Sequence, residues 1–248
     1  MAKSGGLGDN FYIAGYDISG DLGSINTSGG PAALVVTGID KSAFERIGGL
    51  RTGGMSWSTW FNTATGRAHE RLSALPTADV ITSYHQGTTL ANPAAACVAK
   101  QINYDPSRGD DGSLTFAVNV ESNAYGLEWG VQGTAGKRTD TAATAAAAVT
   151  AVDGGASSAF GLQAYLHVFS FTGTSCTVKL QESSDNGADA YVDVVGGAFT
   201  AATGVTSQRI ATAAGLTVER YLKVVTTGTF SECTFAVIIC RNDTAVTF

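Results

Sequence analysis

Short apolar runs, separated by Gly, Asn, Asp and Thr, recur along the whole chain of 248 residues. Runs of this length, bounded by turn-forming residues, predict β-strands rather than helices. In residues 55–62, for example, Met55, Trp57 and Phe61 alternate with polar positions and with Trp60. Alternate residues of a strand point to opposite faces, so only one of Trp57 and Trp60 can face a core. The sequence therefore predicts an all-β fold.

The same criteria place strands in both halves of the sequence. In the first half we predict Ala33–Ile39, Met55–Asn62, Asp79–Tyr84, Ala95–Tyr104, Ser113–Val120 and Tyr125–Gln132. In the second half we predict Gly161–Phe171, Cys176–Gln181, Tyr191–Val194, Ser207–Ala211, Val218–Thr226 and Cys233–Arg241. Hairpin turns are expected at 183–187 and 226–228. One short helix is expected at Thr65–Leu75, ended by Pro76, with a further helical turn at Lys41–Arg46.

Residues 133–158 differ in composition from the rest of the chain. Ala, Thr and Gly dominate, and aromatic residues are absent. This composition predicts a linker or an extended arm. It divides the chain into a β domain at 1–132 and a second β domain at 159–248. The second domain is expected to be an antiparallel β-sandwich, because its strands follow one another without helices between them.

Charged residues make up only 15% of the chain, and the formal net charge is −6. A surface with few long charged side chains loses little side-chain entropy when a neighbour covers it, which favours assembly. The acidic balance argues against a protein that holds nucleic acid through Lys and Arg. It is compatible with a surface past which DNA slides, because like charges repel.

No pattern in the sequence predicts catalysis, a cofactor or a metal site. The three histidines lie far apart, there is no GxSxG motif, and the Gly-rich stretches lack a phosphate-binding spacing. His167 lies in an apolar strand and is expected to be a core residue with hydrogen-bond partners. Asp185, Asp189 and Asp193 surround a turn but lack the calcium-binding loop pattern. We therefore predict a non-enzymatic protein.

The four cysteines form no CxxC pair, which predicts buried free thiols in a reducing compartment. Pairing of Cys176 with Cys233 across strands stays open. The segment MAKSGGLGDN at 1–10 lacks the apolar region of a signal peptide, and no apolar stretch approaches the ~18 residues of a membrane span. We expect synthesis in a cytoplasm and no membrane insertion.

Several phrases resemble the major tail (tail tube) proteins of long-tailed bacteriophages, especially phages of actinobacteria. GYDISGDLGSINTSGG at 15–30 is followed by AALVVTGIDKSAFERIGGLRTGGMSWSTWFN at 32–62. A parallel similarity covers 72–130, from LSALPTADVITSYHQ to NAYGLEWG. The C-terminal half, with VKLQESSDNGADAYVDV, is similar to β-sandwich modules of phage virion proteins. The resemblance implies a tail-tube-like β-sandwich or barrel, followed by the C-terminal sandwich.

What the resemblance implies is self-assembly into rings, usually hexameric, that stack into a tube. Such a tube encloses the genome and the tape-measure protein, without sequence-specific DNA binding, and contacts tail tip and terminator proteins. The protein would be assembled in the host bacterial cytoplasm and end in the phage tail. Strand edges of the first domain would pair between subunits, and the second domain would decorate the outside. Contacts between subunits or rings are expected in 11–23 and 41–54, with these candidate residues: Tyr12, Tyr16, Asp17, Phe44, Arg46, Leu50, Arg51 and Trp60.

Two other functions are considered. A capsid decoration or minor capsid protein would need only the C-terminal sandwich. A carbohydrate-binding virion adhesin would use the same sandwich, with Tyr191 and Tyr221 as its aromatic residues.

Overall fold

The computed structural model describes residues 5–245. Part of the segment 1–10, in which we predicted no signal peptide, therefore lies outside the described residues. The all-β prediction is confirmed. The strands are β1 Asn10–Ile13, β2 Tyr16–Asp17, β3 Leu22–Val35, β4 Arg46–Trp60, β5 Val80–His85, β6 Pro93–Gln101, β7 Asp105–Arg108, β8 Leu114–Ser122, β9 Glu128–Gln132, β10 Arg138–Asp140, β11 Val152–Asp153, β12 Leu162–Ser183, β13 Val192–Ala198, β14 Thr206–Ala211 and β15 Tyr221–Arg241. The helices are α1 Ala68–Leu72 and two 3-10 turns, Ser19–Asp21 and Ala146–Ala148.

The N-terminal half is an antiparallel sheet folded around one core. β4 pairs with β3 and β8, β8 pairs with β6, and β6 continues through β5 to β1 and β2. Trp57 is 4% exposed in this core, whereas Trp60 is 50% exposed, as the alternation predicted. The helix is shorter than predicted, yet Ala68 and Leu72 are fully buried and close one side of the core.

The C-terminal half is built on one long ribbon, in which β12 pairs with β15 along almost its whole length. The predicted strands of this region merge, and the predicted turn at 226–228 is wrong, because these residues continue β15. The register shifts around Gly173, where an added Cβ would lie 2.4 Å from the Cα of Phe230. Side chains from both ends of the ribbon form a single apolar cluster, so the ribbon folds back on itself and makes the two layers of a sandwich. The turn predicted at 183–187 lies after β12 and before β13.

β6 lies between two cores and has a matching sequence. Ala95, Cys97 and Ala99 face the N-terminal core, whereas Ala94, Ala96 and Val98 face a second cluster that includes Tyr165, Ile238 and Cys240 of the C-terminal half. Small side chains on both faces allow the layers to approach closely. Close packing on both faces therefore explains the small residues of the segment AAACVA in this strand.

β3 and β4 form a hairpin much longer than the sequence predicted. The predicted strand Ala33–Ile39 covers only the last residues of β3, and the predicted helical turn at Lys41–Arg46 is wrong. Residues 36–45 instead connect the two strands, with the Val36 N–H donating to the Glu45 carbonyl oxygen at 2.9 Å. On the N-terminal side of Gly54, β4 pairs with β3 but not with β8. Residues 31–51 therefore form a two-stranded arm.

The segment 133–158, predicted as a linker, runs along the C-terminal half. β10 and β11 both pair with β15, and the Thr144 N–H donates to the Thr226 carbonyl oxygen at 3.0 Å. β9 also pairs with β15, which joins the two halves in one hydrogen-bonded network. The division into domains at 1–132 and 159–248 stays a prediction.

Gly53→Ala tests how the root of the arm packs. A Cβ at Gly53 would lie 2.4 Å from the backbone nitrogen of Leu127, so the backbone must shift. We expect a loss of about 1–3 kcal/mol in the free energy of unfolding, measured by chemical denaturation. Gly30→Ala on the paired strand is the control, because nothing lies within 4 Å of its added Cβ. Equal stability of the two variants would contradict the close packing at Leu127.

Candidate functional site

The arm formed by residues 31–51 exposes apolar side chains that the described chain does not cover. Seven large apolar residues here are about half exposed or more: Leu34, Val35, Val36, Ile39, Phe44, Ile47 and Leu50. Leu50 is 89% exposed and Phe44 is 70% exposed. A two-stranded hairpin without a covered face is only marginally stable in water. Exposed apolar surface of this size is typical of an interaction site.

The outer edge of β3 adds a second feature to the arm. Among the described residues, β3 pairs only with β4, so its other edge has free N–H and C=O groups. The strand sequence LGSINTSGGPAALV contains no charged residue. Monomeric proteins usually protect such an edge with charges or a bulge, because an open edge pairs with another strand. Here Pro31 is the one residue of β3 that removes a donor.

The structure separates the predicted interface residues into two groups. Phe44, Arg46, Leu50 and Arg51 are exposed on the arm, where the Arg46 guanidinium lies 5.1 Å from the centre of the Phe44 ring. Trp60 is half exposed at the end of β4 that lies in the body of the sheet. These residues remain candidates for contacts between subunits.

The candidates of the N-terminal segment lie in the body of the protein. Tyr12 is 1% exposed, so it is removed from the candidate surface; its ring packs between His85 and Phe169. Asp17 is half-buried, and the Lys137 ammonium group binds its carboxylate at 2.5 Å. Hydrogen bonds from Lys137 and Ser19 lower the Asp17 pKa and outweigh the opposing effect of burial. Tyr16, on the same short strand, is also half-buried.

A buried ion pair joins the two halves. The Arg209 guanidinium of β14 binds the Glu128 carboxylate of β9 at 2.9 Å, and both side chains are less than a tenth exposed. The Tyr165 hydroxyl of β12 donates to the same carboxylate. The ring centre of Tyr125 lies 3.7 Å from the guanidinium carbon of Arg209. Sequence reasoning missed this cluster, because its residues are widely separated in the chain.

A second buried polar cluster lies nearby and contains Ser83, His85 and His167. The Ser83 hydroxyl lies 3.0 Å from His85 Nε2 and 3.1 Å from His167 Nε2. Burial lowers the pKa of His85 to about 4 and that of His167 to about 3. His167 is thus a core histidine with hydrogen-bond partners, as predicted. Ser83 and His85 resemble a nucleophile and its base, but Ser83 is 0% exposed, so a substrate has no access to the hydroxyl.

The other candidate groups are engaged in local structure. Asp193 binds Lys179 at 2.7 Å, while Asp185 and Asp189 accept hydrogen bonds from backbone N–H groups of their own loop. Within residues 5–245, no three acidic, His or Cys side chains group as a metal site. Cys176 and Cys233 are free and buried in the core of the sandwich. Hydrogen bonding between the two thiols, followed by burial, raises the pKa of Cys233.

The aromatic residues named for a carbohydrate site, Tyr191 and Tyr221, are partly covered. Lys223 Nζ lies 4.2 Å from the ring centre of Tyr191, and the Arg220 guanidinium lies 4.8 Å from that of Tyr221. The Tyr191 hydroxyl also donates to Asn186 at 2.6 Å. Each tyrosine therefore has one ring face occupied by a cation.

Comparison with known proteins gives structural neighbours only. No family model and no curated protein matches the chain. A chain from the virion of a native gene transfer agent particle is 14% identical, with a TM-score of 0.42, covering 51% of this chain and 98% of that chain. The Dit (gp 19.1) protein of SPP1 is 12% identical, with a TM-score of 0.32, covering 93% of this chain and 98% of that chain. A chain of the phage p2 baseplate is 9% identical, with a TM-score of 0.34, covering 95% and 99%. At these identities and TM-scores the likeness carries no argument about function.

In the part of the chain that the structure describes, no helix has the length and apolar character needed to cross a membrane.

Glu128→Gln tests the buried ion pair. The substitution leaves the Arg209 charge buried without its counter-charge, and breaking such a pair costs about 3–5 kcal/mol of unfolding free energy. Asp153→Asn is the control, because Asp153 binds Arg220 at 2.7 Å but both side chains are more than two-fifths exposed. We expect the control to lose less than about 1 kcal/mol. Chemical denaturation of both variants measures the difference, and equal losses would contradict a structural role for the buried pair.

Proposed function

We propose that this protein is a structural subunit of a phage tail that assembles with copies of itself into stacked rings, as a tail tube protein does. The observation that carries the proposal is the arm of residues 31–51, which exposes seven large apolar side chains and an uncharged strand edge. Both features are unfavourable for an isolated chain in water and favourable once a second copy covers them. The resemblance of 15–62 to tail tube proteins falls on the same segment.

A second copy of this chain fits the arm better than a different partner. The arm carries three basic and two acidic side chains, and Lys41 lies 3.7 Å from Glu45 and 3.6 Å from Asp40. Its charges therefore largely neutralise one another, and the rest of the arm is apolar or small. A surface of this kind does not select a strongly charged partner such as nucleic acid. It matches a chain in which only 15% of residues are charged.

The arm and the outer edge of β3 would contact different neighbours. We propose that the edge pairs with a strand of an adjacent subunit in the same ring, which adds main-chain hydrogen bonds. The exposed tip, with Phe44, Arg46, Leu50 and Arg51, would contact the next ring. Trp60, at the base of β4, is proposed for the contact within the ring. The tape-measure protein and the genomic DNA would lie in the lumen, and tail tip and terminator proteins at the ends of the tube.

The C-terminal half is proposed to lie on the outside of the tube, but as part of one rigid subunit. β9 pairs with β15, and the Glu128–Arg209 pair is buried between the halves. Removing 159–248 would expose the cluster of Ala94, Ala96 and Val98 and leave Glu128 without its partner. Deleting the second half therefore tests whether the protein folds, not whether this half is dispensable for assembly. Point substitutions on its surface are the better test of its role.

A carbohydrate-binding function is the second candidate, favoured by a groove beside Trp129. The Trp129 side chain is 54% exposed, and the groove, of about 430 Å³, is lined by Val131, Leu222, Ile239 and Arg241 among others. An exposed indole beside an apolar floor can stack on a sugar ring. Quenching of the Trp129 fluorescence by soluble glycans, absent from Trp129→Ala, would support this alternative.

Electron microscopy of the purified full-length protein tests the assembly proposal. We expect rings or tubes with a central channel. Leu50→Asp should abolish them while leaving the free energy of unfolding within about 0.5 kcal/mol, because an exposed position contributes little to the fold. Analytical ultracentrifugation measures the loss of assembly, and circular dichroism checks the fold.

Val195→Asp is the matched control for this experiment. Val195 lies on β13 of the C-terminal half and is 72% exposed, so the same charge is introduced at another well-exposed apolar position away from the arm. We expect the control to assemble like the unmodified chain. A protein that stays monomeric at high concentration, or a Leu50→Asp variant that still forms tubes, would overturn the role of the arm.

A further inference from the structure

The β1–β2 turn packs against the C-terminal half and donates a hydrogen bond to a histidine there. Gly15 lies in this turn, and its N–H donates to Nδ1 of His167 at 3.2 Å in a buried contact. A Cβ at Gly15 would lie 2.8 Å from the carbonyl oxygen of Val168 and 2.8 Å from a methyl group of Val205. Gly15 also has a φ of +84°, which favours glycine. The turn therefore fits against β12 and the start of β14 with no free space.

The hydrogen bond from Gly15 fixes the protonation of the whole cluster. Because Nδ1 of His167 accepts a hydrogen bond, it has no proton, and the neutral ring has its proton on Nε2. Nε2 then donates to the Ser83 hydroxyl oxygen at 3.1 Å. The Ser83 hydroxyl in turn donates to His85 Nε2 at 3.0 Å, which leaves the proton of His85 on Nδ1.

The chain of hydrogen bonds ends at His85 on β5. His85 Nδ1 and, on β9, Gln132 Oε1 are both buried and have no hydrogen-bond partner among the described residues. They are complementary, since one offers an N–H and the other a carbonyl oxygen. The chain of hydrogen bonds runs from His85 through Ser83 and His167 to Gly15, and connects β5, β12 and the β1–β2 turn.

Protonation of His167 is unfavourable in this cluster. A proton on Nδ1 would point directly at the N–H of Gly15, so two donors would face each other and the hydrogen bond would be lost. The imidazole is surrounded by rings, with Phe169 stacked at 6.2 Å and Tyr12 edge-on at 5.9 Å. Water has no access to a residue that is 1% exposed.

Few charges are near enough to stabilise a histidine cation here. On β5, the neighbouring titratable group is His85, whose own positive charge would repel one on His167. On β1 it is Tyr12, whose pKa is raised by burial, so its hydroxyl stays neutral. The Asp17 carboxylate of β2 is neutralised by Lys137, and the Glu128 carboxylate of β9 is neutralised by Arg209.

We propose that the junction between the halves is acid-sensitive, because protonation of His167 releases the Gly15 turn from the C-terminal half. The burial of the imidazole lowers its pKa to about 3, whereas a histidine in water has a pKa of about 6.5. The released state therefore binds a proton that the docked state excludes. The docked state is fully favoured above pH 6.5 and loses stability as the pH falls below that value. This inference does not depend on the proposed assembly.

Amide hydrogen exchange of the full chain, measured at Gly15 between pH 7 and pH 4.5 and corrected for the intrinsic rate, tests the proposal. One proton taken up on release makes the opening equilibrium rise tenfold per pH unit below about pH 6. His167→Asn is the test variant, because its carbonyl oxygen replaces Nδ1 as acceptor but cannot be protonated. In this variant we expect the protection of the Gly15 amide against exchange to be independent of pH over this range. His69→Asn, a half-buried histidine on α1, is the control and should behave like the unmodified chain.

Nitrogen chemical shifts of the His167 ring in the unmodified chain provide a test that needs no variant. We expect a neutral ring with its proton on Nε2 at pH 7 and at pH 5. A ring that titrates near pH 6.5 or carries its proton on Nδ1 would overturn the proposal. So would Gly15 protection that is independent of pH, or an equal pH dependence in the unmodified chain and in His167→Asn.

Discussion

β9 is hydrogen-bonded to β6 on one side and to β15 on the other, and the rest of the structure depends on this double pairing. It makes one continuous network of strands from two halves that would otherwise be separate layers. It also carries Glu128 and Gln132 into the space between them, where a charge is tolerated only with a counter-charge. Arg209 provides that counter-charge. Each half has its own core, and a third cluster of buried side chains, which includes Ala96 and Tyr165, is shared between them.

Much of the fold could be predicted from the sequence wherever one face of a strand is buried. The alternation around Trp57 and Trp60 correctly predicted that only one of the two indoles is buried, because burial on one face leaves a period of two. The first part of β3 was missed for a related reason: both faces of 22–32 are largely exposed, so burial leaves no clear alternation there. The helix propensity of 41–46 was overridden by the pairing of the strands on either side. The turn expected at 226–228 was wrong because these Thr and Gly residues pair regularly with 176–178 of β12.

The candidate site was only partly predictable. The arm residues Phe44 and Leu50 came from the resemblance, and their exposure is consistent with a contact role. The burial of Tyr12 could not be predicted, because its neighbours in space, His85 and Phe169, lie far away in the sequence. The chain of hydrogen bonds through Ser83 was missed for the same reason. Its one local signal was a histidine inside each of two apolar strands, which indicates burial but not the identity of a partner.

The glycines at the root of the arm have a consequence for symmetry. Gly29 and Gly53 both pack against Leu127, with added Cβ atoms only 2.6 and 2.4 Å from it, so this contact sets the angle at which the arm leaves the body. Copies joined through different surfaces close into a ring only if the rotation from one copy to the next divides a full turn; otherwise they form an open helix. In the proposed assembly, a change of a few degrees at Leu127 would therefore alter the number of subunits per turn or prevent closure, without changing any residue of the contact surface.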